Sequence, residues 1–121
     1  ALYHAIRWKA KLIFSVPCCQ HELNGQMKSE NLSILTRYGI VKERTAALMT
    51  DAIRANLLTE SGYRTQLLEF VDLSHTPKNL LIRAVRAVIP GSAKKQARAE
   101  IDAIEQEFGL EPTLDQLLKQ R

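Results

Sequence analysis

The sequence predicts an α/β fold in which three short strands and their helices form half of an open sheet. Three apolar runs carry this prediction, at residues 12–16, 64–73 and 79–88. A long stretch of helical periodicity separates the first two runs, as in a right-handed crossover between parallel strands. A short turn joins the last two, which are therefore expected to be antiparallel neighbours. Because these runs lack polar alternation, we expect helices on both faces of the sheet.

The chain opens inside an amphipathic helix, since Leu2, Ile6 and Ala10 share one face. Neither an initiator Met nor a capping residue precedes this helix, so we expect the chain to be cut from a longer protein. After the strand at residues 12–16, which we expect to be buried, residues 17–27 contain Pro, Asn and Gly among polar residues. This composition predicts a loop.

Four more helices are predicted from apolar spacing and from residues that start or end helices. One extends from Ser29 as N-cap to Gly39, and a long helix follows over residues 41–60. After the hairpin, an apolar stripe predicts a helix that ends at Gly109. The last helix is expected to begin at Thr113, with a capping box formed with the Gln three residues later.

Composition indicates one small globular unit, because 121 residues with 45% hydrophobic and 25% charged residues can bury one core. We divide it into residues 1–90, which contain the sheet, and a helical extension over residues 91–121. The net charge of +4 favours an anionic partner such as RNA. Lys94, Lys95 and Arg98 form a basic cluster that either contacts RNA or is simply solvated.

Cysteine usage and hydropathy indicate a cytoplasmic protein without a membrane segment. Cys18 and Cys19 are adjacent, and neighbouring residues rarely reach disulfide geometry, which favours a reducing compartment. No apolar run approaches the ~20 residues that a transmembrane helix needs.

A cluster of reactive side chains follows the strand at residues 12–16. It contains Cys18, Cys19, His21 and Glu22, and the C-terminal ends of strands are where open α/β sheets bind ligands. Three interpretations remain open. The cysteines are apolar filler with His21 as a cap, or a thiolate is activated by His21, or the group is a zinc site that lacks a fourth ligand.

Three ordered motifs give the chain a family resemblance. Residues 17–23, Pro-Cys-Cys-Gln-His-Glu-Leu, resemble the motif of a class I S-adenosylmethionine-dependent methyltransferase family that carries Pro-Cys-Cys after its fifth strand. Residues 48–55, Leu-Met-Thr-Asp-Ala-Ile-Arg-Ala, are similar to a second motif of that family. Glu-Phe-Val-Asp at residues 69–72 with His-Thr-Pro-Lys-Asn at residues 75–79 is similar to a third. The resemblance covers about residues 1–88.

The resemblance implies the C-terminal half of a Rossmann-like methyltransferase sheet, with strands in the order five, seven, six and strand seven antiparallel. Residues 79–88 should then lie between residues 12–16 and residues 64–73. The cofactor would be S-adenosylmethionine, and the partner of this chain would be the missing N-terminal half. The Gly-rich loop and the acidic residue that bind the cofactor are expected upstream of Ala1, because the chain contains no Gly-x-Gly.

The site residues follow from the resemblance and from the expectation that the loops after residues 16 and 73 face one cleft. His21 and Glu22 are the candidate bases for the acceptor proton. No metal site is expected. The candidate substrate-binding residues are Pro17, Cys18, Cys19, Gln20, Arg44, Asp51, Arg54, His75, Lys78 and Asn79.

Plainer interpretations stand beside these assignments. Arg44, Asp51 and Arg54 share one helix face, which is most often a solvated, salt-bridged face, and residues 74–79 suit an ordinary hairpin turn. RNA is the first candidate acceptor. The alternative function is a winged-helix nucleic-acid-binding module, with a helix pair at residues 30–38 and 41–61 and a wing at residues 63–88.

Overall fold

The computed structural model describes residues 2–16, 22–70 and 79–119. These residues form a mixed α/β structure with one three-stranded antiparallel sheet. The elements, in chain order, are α1 (Leu2–Arg7), β1 (Leu12–Ser15), α2 (Glu22–Gln26), α3 (Ile34–Arg37), α4 (Gly39–Glu60), β2 (Tyr63–Phe70), β3 (Asn79–Arg86), α5 (Gly91–Phe108) and α6 (Thr113–Lys119).

The strand order is β1-β3-β2, and β3 is antiparallel to both of its neighbours. Ala84 in the middle strand lies opposite Ile13 on one side and opposite Thr65 on the other. Since both outer strands oppose β3, β1 and β2 run in the same direction. The predicted placement of the third strand between the other two is confirmed.

One face of the sheet forms the core. Ile13, Ile82 and Ala84 are buried there, and the long helix α4 packs against β2 and β3. The Tyr63 ring is buried in the same layer, and its hydroxyl donates a hydrogen bond to the Ala10 carbonyl at 2.7 Å. This bond fixes the segment before β1 to the first residue of the hairpin.

The other face of the sheet is open in the described part of the chain. In β1, Leu12 is 51% exposed and Phe14 is 58% exposed, whereas Ile13 between them is 6% exposed. Leu68 of β2 is exposed on the same open face. The prediction that β1 is buried and that helices cover both faces is therefore wrong for these residues, because α4 packs on one face and successive side chains of a strand point to opposite faces.

Two local predictions are also wrong. Residues 22–26 form the short helix α2 within the predicted loop, because Leu23 and Met27, four residues apart, both enter the core. Gly39 does not end a helix but begins α4. The break before it comes from Tyr38, whose extended backbone (φ −98°, ψ 124°) separates α3 from α4.

The C-terminal helices belong to the same hydrophobic core as the sheet. α5 buries Ala97, Ile101 and Phe108 along the predicted stripe, and Ile101 and Phe108 join the cluster that contains Ile13 and Ile82. The helix ends as predicted at Gly109, which has the left-handed φ of 65° that glycine accommodates. α6 begins at Thr113 as predicted.

Candidate functional site

The C-terminal ends of β1 and β2 lie at one edge of the sheet, together with the start of β3. Ser15 pairs with Ile82, and at the same edge Phe70 pairs with Asn79. The expectation that the segments after the first and second strands start from a common edge is therefore confirmed. Asn79 is placed at this edge by its backbone.

A cavity of about 360 Å³ opens beside the end of β1. Its walls come from α1, β1, α2, α4, the segment before α6, and α6 itself. The lining residues are Leu2, Tyr3, Ser15, Val16, Glu22, Leu23, Thr50, Ile53, Arg54, Leu57, Pro112, Thr113, Leu114 and Leu117. Two of the candidate residues from the sequence, Glu22 and Arg54, both line this cavity.

Glu22 connects two helices that are far apart in the sequence. Its Oε1 accepts a hydrogen bond from the Thr113 amide at 2.7 Å and another from the Thr113 hydroxyl. Gln26, one turn later in α2, accepts a hydrogen bond from the Glu111 amide at 2.9 Å. The Glu22 carboxylate thus holds α2 against the start of α6.

The other two candidates on α4 lie elsewhere. Asp51 is 1% exposed, so it does not lie on a solvated face. Arg44 is exposed near the start of α4 and is not part of the cavity lining. The spacing of these residues with Arg54 is helical, but the neighbours of α4 change along its length, so the same face is exposed at one end and buried in the middle.

Seven of the sequence-derived candidates lie outside the described residues. They are Pro17, Cys18, Cys19, Gln20, His21, His75 and Lys78.

A charged cluster between α4, α5 and α6 was not anticipated. Arg98 donates two hydrogen bonds to Asp115, at 2.8 and 3.1 Å, and it also contacts Glu60 at 2.8 Å and Asp102 at 3.0 Å. Asp115 is 1% exposed. Arg98 is thus part of an interhelical ion-pair cluster and not of a solvated basic cluster with Lys94 and Lys95.

The cluster shifts the pKa values of two carboxyl groups in opposite directions. Burial by itself would raise the pKa of Asp115, but hydrogen bonds from Arg98 and Glu105 outweigh it and hold the pKa at about 2. Burial and the adjacent Asp115 carboxyl raise the pKa of Glu105 to about 8. Hydrogen bonding to Asp115 raises the pKa of Arg98 above its usual value. Glu105 is therefore neutral and Asp115 ionised at neutral pH.

The glycines of this chain do not form a cofactor cradle. A Cβ atom added to any of the five would meet no non-neighbouring heavy atom within 4 Å, so none of them marks a close approach of backbone. A Gly-rich phosphate or methionine loop needs such an approach. The residues described here therefore do not by themselves fit S-adenosylmethionine.

Residues 2–16, 22–70 and 79–119 contain no group of three or more His, Cys, Asp or Glu side chains placed to hold a metal ion. None of their helices is both long enough and apolar enough to cross a bilayer.

Comparisons of the chain with protein-family models, curated proteins and solved structures find no match.

Proposed function

We propose that this chain is the C-terminal, acceptor-side portion of an S-adenosylmethionine-dependent methyltransferase. The observation that carries the proposal is the strand order β1-β3-β2 with the middle strand antiparallel, in a chain that also contains the Pro-Cys-Cys motif at residues 17–19. This is the order expected for strands five, seven and six of the family that the Pro-Cys-Cys motif resembles. The cavity beside the end of β1 is at the sheet edge where open α/β sheets bind ligands.

The open side of β1 supports the same proposal. In the described residues β1 pairs with β3 only, and its second edge is unpaired. At this edge Leu12 and Phe14 leave apolar side chains exposed on the open face of the sheet. Exposed edges with apolar faces are normally paired or covered in soluble proteins. An N-terminal half could pair a strand with the open edge of β1 and pack other elements over its exposed face.

In this proposal the chain contributes positioning rather than cofactor binding. Methyl transfer depends mainly on the alignment of acceptor and methyl donor, because the sulfonium is already activated. Arg54 and Glu22 line the cavity and are the described residues closest to such a role. RNA is the first candidate acceptor, on the basis of the net charge of +4.

Calorimetry with S-adenosylmethionine tests the proposal. We expect no saturable heat with residues 1–121 alone, because the cofactor-binding residues are assigned upstream. We expect binding with a Kd of about 1 μM, near −8 kcal/mol, when the chain is extended by its upstream coding sequence. Binding by the short chain would refute the upstream assignment, and no binding by the extended protein would refute the methyltransferase proposal.

A winged-helix module is the second candidate, because α3, α4 and the β2–β3 hairpin provide its helix pair and wing. The strand order does not separate the two candidates, since a third strand can join a wing. A recognition helix needs an exposed basic face. The exposed face of α4 instead carries Ile40 and Leu48, with Arg44 next to Glu43, which favours the methyltransferase.

Fluorescence anisotropy with a labelled DNA duplex separates the candidates. A winged-helix module would bind with an affinity that falls steeply with salt, and the binding would weaken on substitution of Arg44 with Gln. The methyltransferase proposal expects no such dependence on Arg44.

A further inference from the structure

The cavity beside β1 is mostly aliphatic and has a fixed floor. Leu23, Ile53 and Leu57 are buried in the core and form its base. Leu2, Leu114 and Leu117 form the sides. At about 360 Å³, the cavity falls in the range of small-molecule sites, which are about 300–1,000 Å³ and predominantly apolar.

Most polar groups in the lining are committed within the fold. The Thr50 hydroxyl donates to the Ala46 carbonyl at 2.7 Å. The amide and the hydroxyl of Thr113 both donate to Glu22. These groups hold the helices in place and have little capacity left to orient a ligand.

Arg54 is the one cationic side chain among the described residues of the lining. A guanidinium has five N–H donors in a planar fork, so it can keep a partner within the fold and still donate to a ligand. Glu22 is the one anionic side chain among the described residues of the lining. It is exposed, so solvent screens its charge, and it accepts two hydrogen bonds from Thr113. The half-buried Arg54 is therefore the stronger determinant of ligand charge.

We infer that this cavity binds a small amphipathic acid, with its apolar body against the leucines and its carboxylate on Arg54. The lining residues named above all belong to this chain. The inference uses the cavity in which the methyltransferase proposal positions the acceptor, but it does not require the cofactor and can be tested without it.

Methyl NMR on the 121-residue chain tests the inference with three probes of one skeleton: 3-phenylpropanoate, 3-phenylpropanamide and 3-phenylpropylamine. We expect saturable shifts at the methyl groups of Ile53, Leu57 and Leu114, with the propanoate binding most tightly. Arg54→Gln should weaken propanoate binding by about tenfold, the least expected for loss of a hydrogen bond between charged groups. It should leave amide binding unchanged.

Two further variants complete the design. Arg64→Gln removes a positive charge from the open face of the sheet and should not change propanoate binding. Leu117→Trp, at a partly exposed position of α6, should fill the cavity and abolish binding of all three probes, with the fold checked by circular dichroism.

Three results would overturn the inference. They are equal affinities for the three probes, tightest binding of the amine, and shifts confined to Leu12 and Leu68 on the open sheet face. The second result would make Glu22 the anchor, and the third would show nonspecific adsorption.

Discussion

Asp115 is a nearly buried carboxylate, and its charge is compensated mainly by Arg98. The pair is bidentate, and the guanidinium also reaches Glu60 on α4 and Asp102 on α5. Lys119, one turn along α6, adds a contact to Asp115 at 3.5 Å. A single arginine thus connects three helices. It holds α6 to the rest of the molecule together with the Thr113 bonds to Glu22 and the burial of Leu118 in the core.

Asp115→Ala should lower the free energy of unfolding by about 2 kcal/mol. Breaking a fully buried ion pair costs about 3–5 kcal/mol, but here Arg98 is 24% exposed and keeps Glu60 and Asp102. The matched control is Asp102→Ala, whose side chain is 57% exposed, with an expected loss below about 0.5 kcal/mol. Urea unfolding of both variants measures the difference, and equal losses would contradict the central position of Asp115.

The Glu105 carboxyl makes the stability depend on pH. Its folded pKa of about 8 lies above the ordinary 4.5 of a glutamate, so the folded state binds a proton that the unfolded state releases. This contribution is fully present below pH 4.5 and is lost as the pH rises to about 8. The urea midpoint should therefore fall between pH 5 and pH 8.

Glu105→Gln keeps a neutral group at this position and should reduce that fall, whereas Glu43→Gln on the exposed side of α4 should not. The Asp115 carboxyl affects the pH dependence of stability in the opposite direction. Its pKa of about 2 lies below the ordinary 3.8, so its contribution is lost as the pH falls from about 4 to 2. Identical pH slopes for Glu105→Gln and the original protein would refute the assignment.

Two helical glycines are expected to respond oppositely to substitution with alanine, because only one of them has a left-handed backbone. Gly109 has φ 65° and its amide donates to the Glu105 carbonyl as the C-terminal cap of α5. Gly109→Ala should destabilise by about 1 kcal/mol, the cost of a left-handed alanine. Gly25→Ala, inside α2 with open space around it, should stabilise by up to about 1 kcal/mol. Thermal unfolding resolves the two signs, and destabilisation of similar size in both would contradict the backbone argument.

The elements that local patterns specify were predictable. The end of the long helix at Ser61 and Gly62, the hairpin and the α5 stripe each depend on residues close in the sequence. The strand order, by contrast, was expected from the family resemblance. The helix α2 was missed because Asn24 and Gly25 are loop residues by propensity. Burial of Leu23 and Met27 against distant elements overrides that propensity.

The candidate site was less predictable, because its contacts are remote in sequence. Helical spacing put Arg44, Asp51 and Arg54 on one face of α4, but it could not show that Asp51 is buried. The partner of Glu22 is Thr113, and Arg98 pairs with residues on two other helices. The only local indications of the charged cluster were the i,i+4 pairs Arg98–Asp102 and Asp115–Lys119.

At the scale of the whole molecule, β1 has two different sides. The Arg86 amide of β3 donates a hydrogen bond to the Lys11 carbonyl just before β1. In an antiparallel pair, every second residue pair is hydrogen-bonded. The amides of Ile13 and Ser15 therefore also point toward β3, opposite Ala84 and Ile82. The amides of Leu12 and Phe14 then point to the open edge. The same two residues carry the exposed apolar side chains.

Substitutions in β1 should reflect this alternation. Ile13→Ala should cost about 3 kcal/mol as a core truncation, whereas Phe14→Thr should change the free energy of unfolding by less than about 0.5 kcal/mol. Phe14→Thr should also reduce self-association of the isolated chain, as measured by sedimentation velocity, because it removes an exposed aromatic ring. A large loss of stability from Phe14→Thr would mean that the open face is covered within this chain.

Hydrogen exchange at β1 tests whether an upstream strand completes the sheet. In the 121-residue chain, the amides of Leu12 and Phe14 should exchange faster than those of Ile13 and Ser15, because only the latter two bond within the sheet. In the upstream-extended protein, Leu12 and Phe14 should become protected. Leu67, whose amide points to the outer edge of β2, is the matched control and should remain fast, since the proposed order leaves β2 at the end of the sheet. Protection at Leu67 with none at Leu12 would place the added strand on the wrong side and contradict the proposed half-sheet, even if the extended protein bound S-adenosylmethionine.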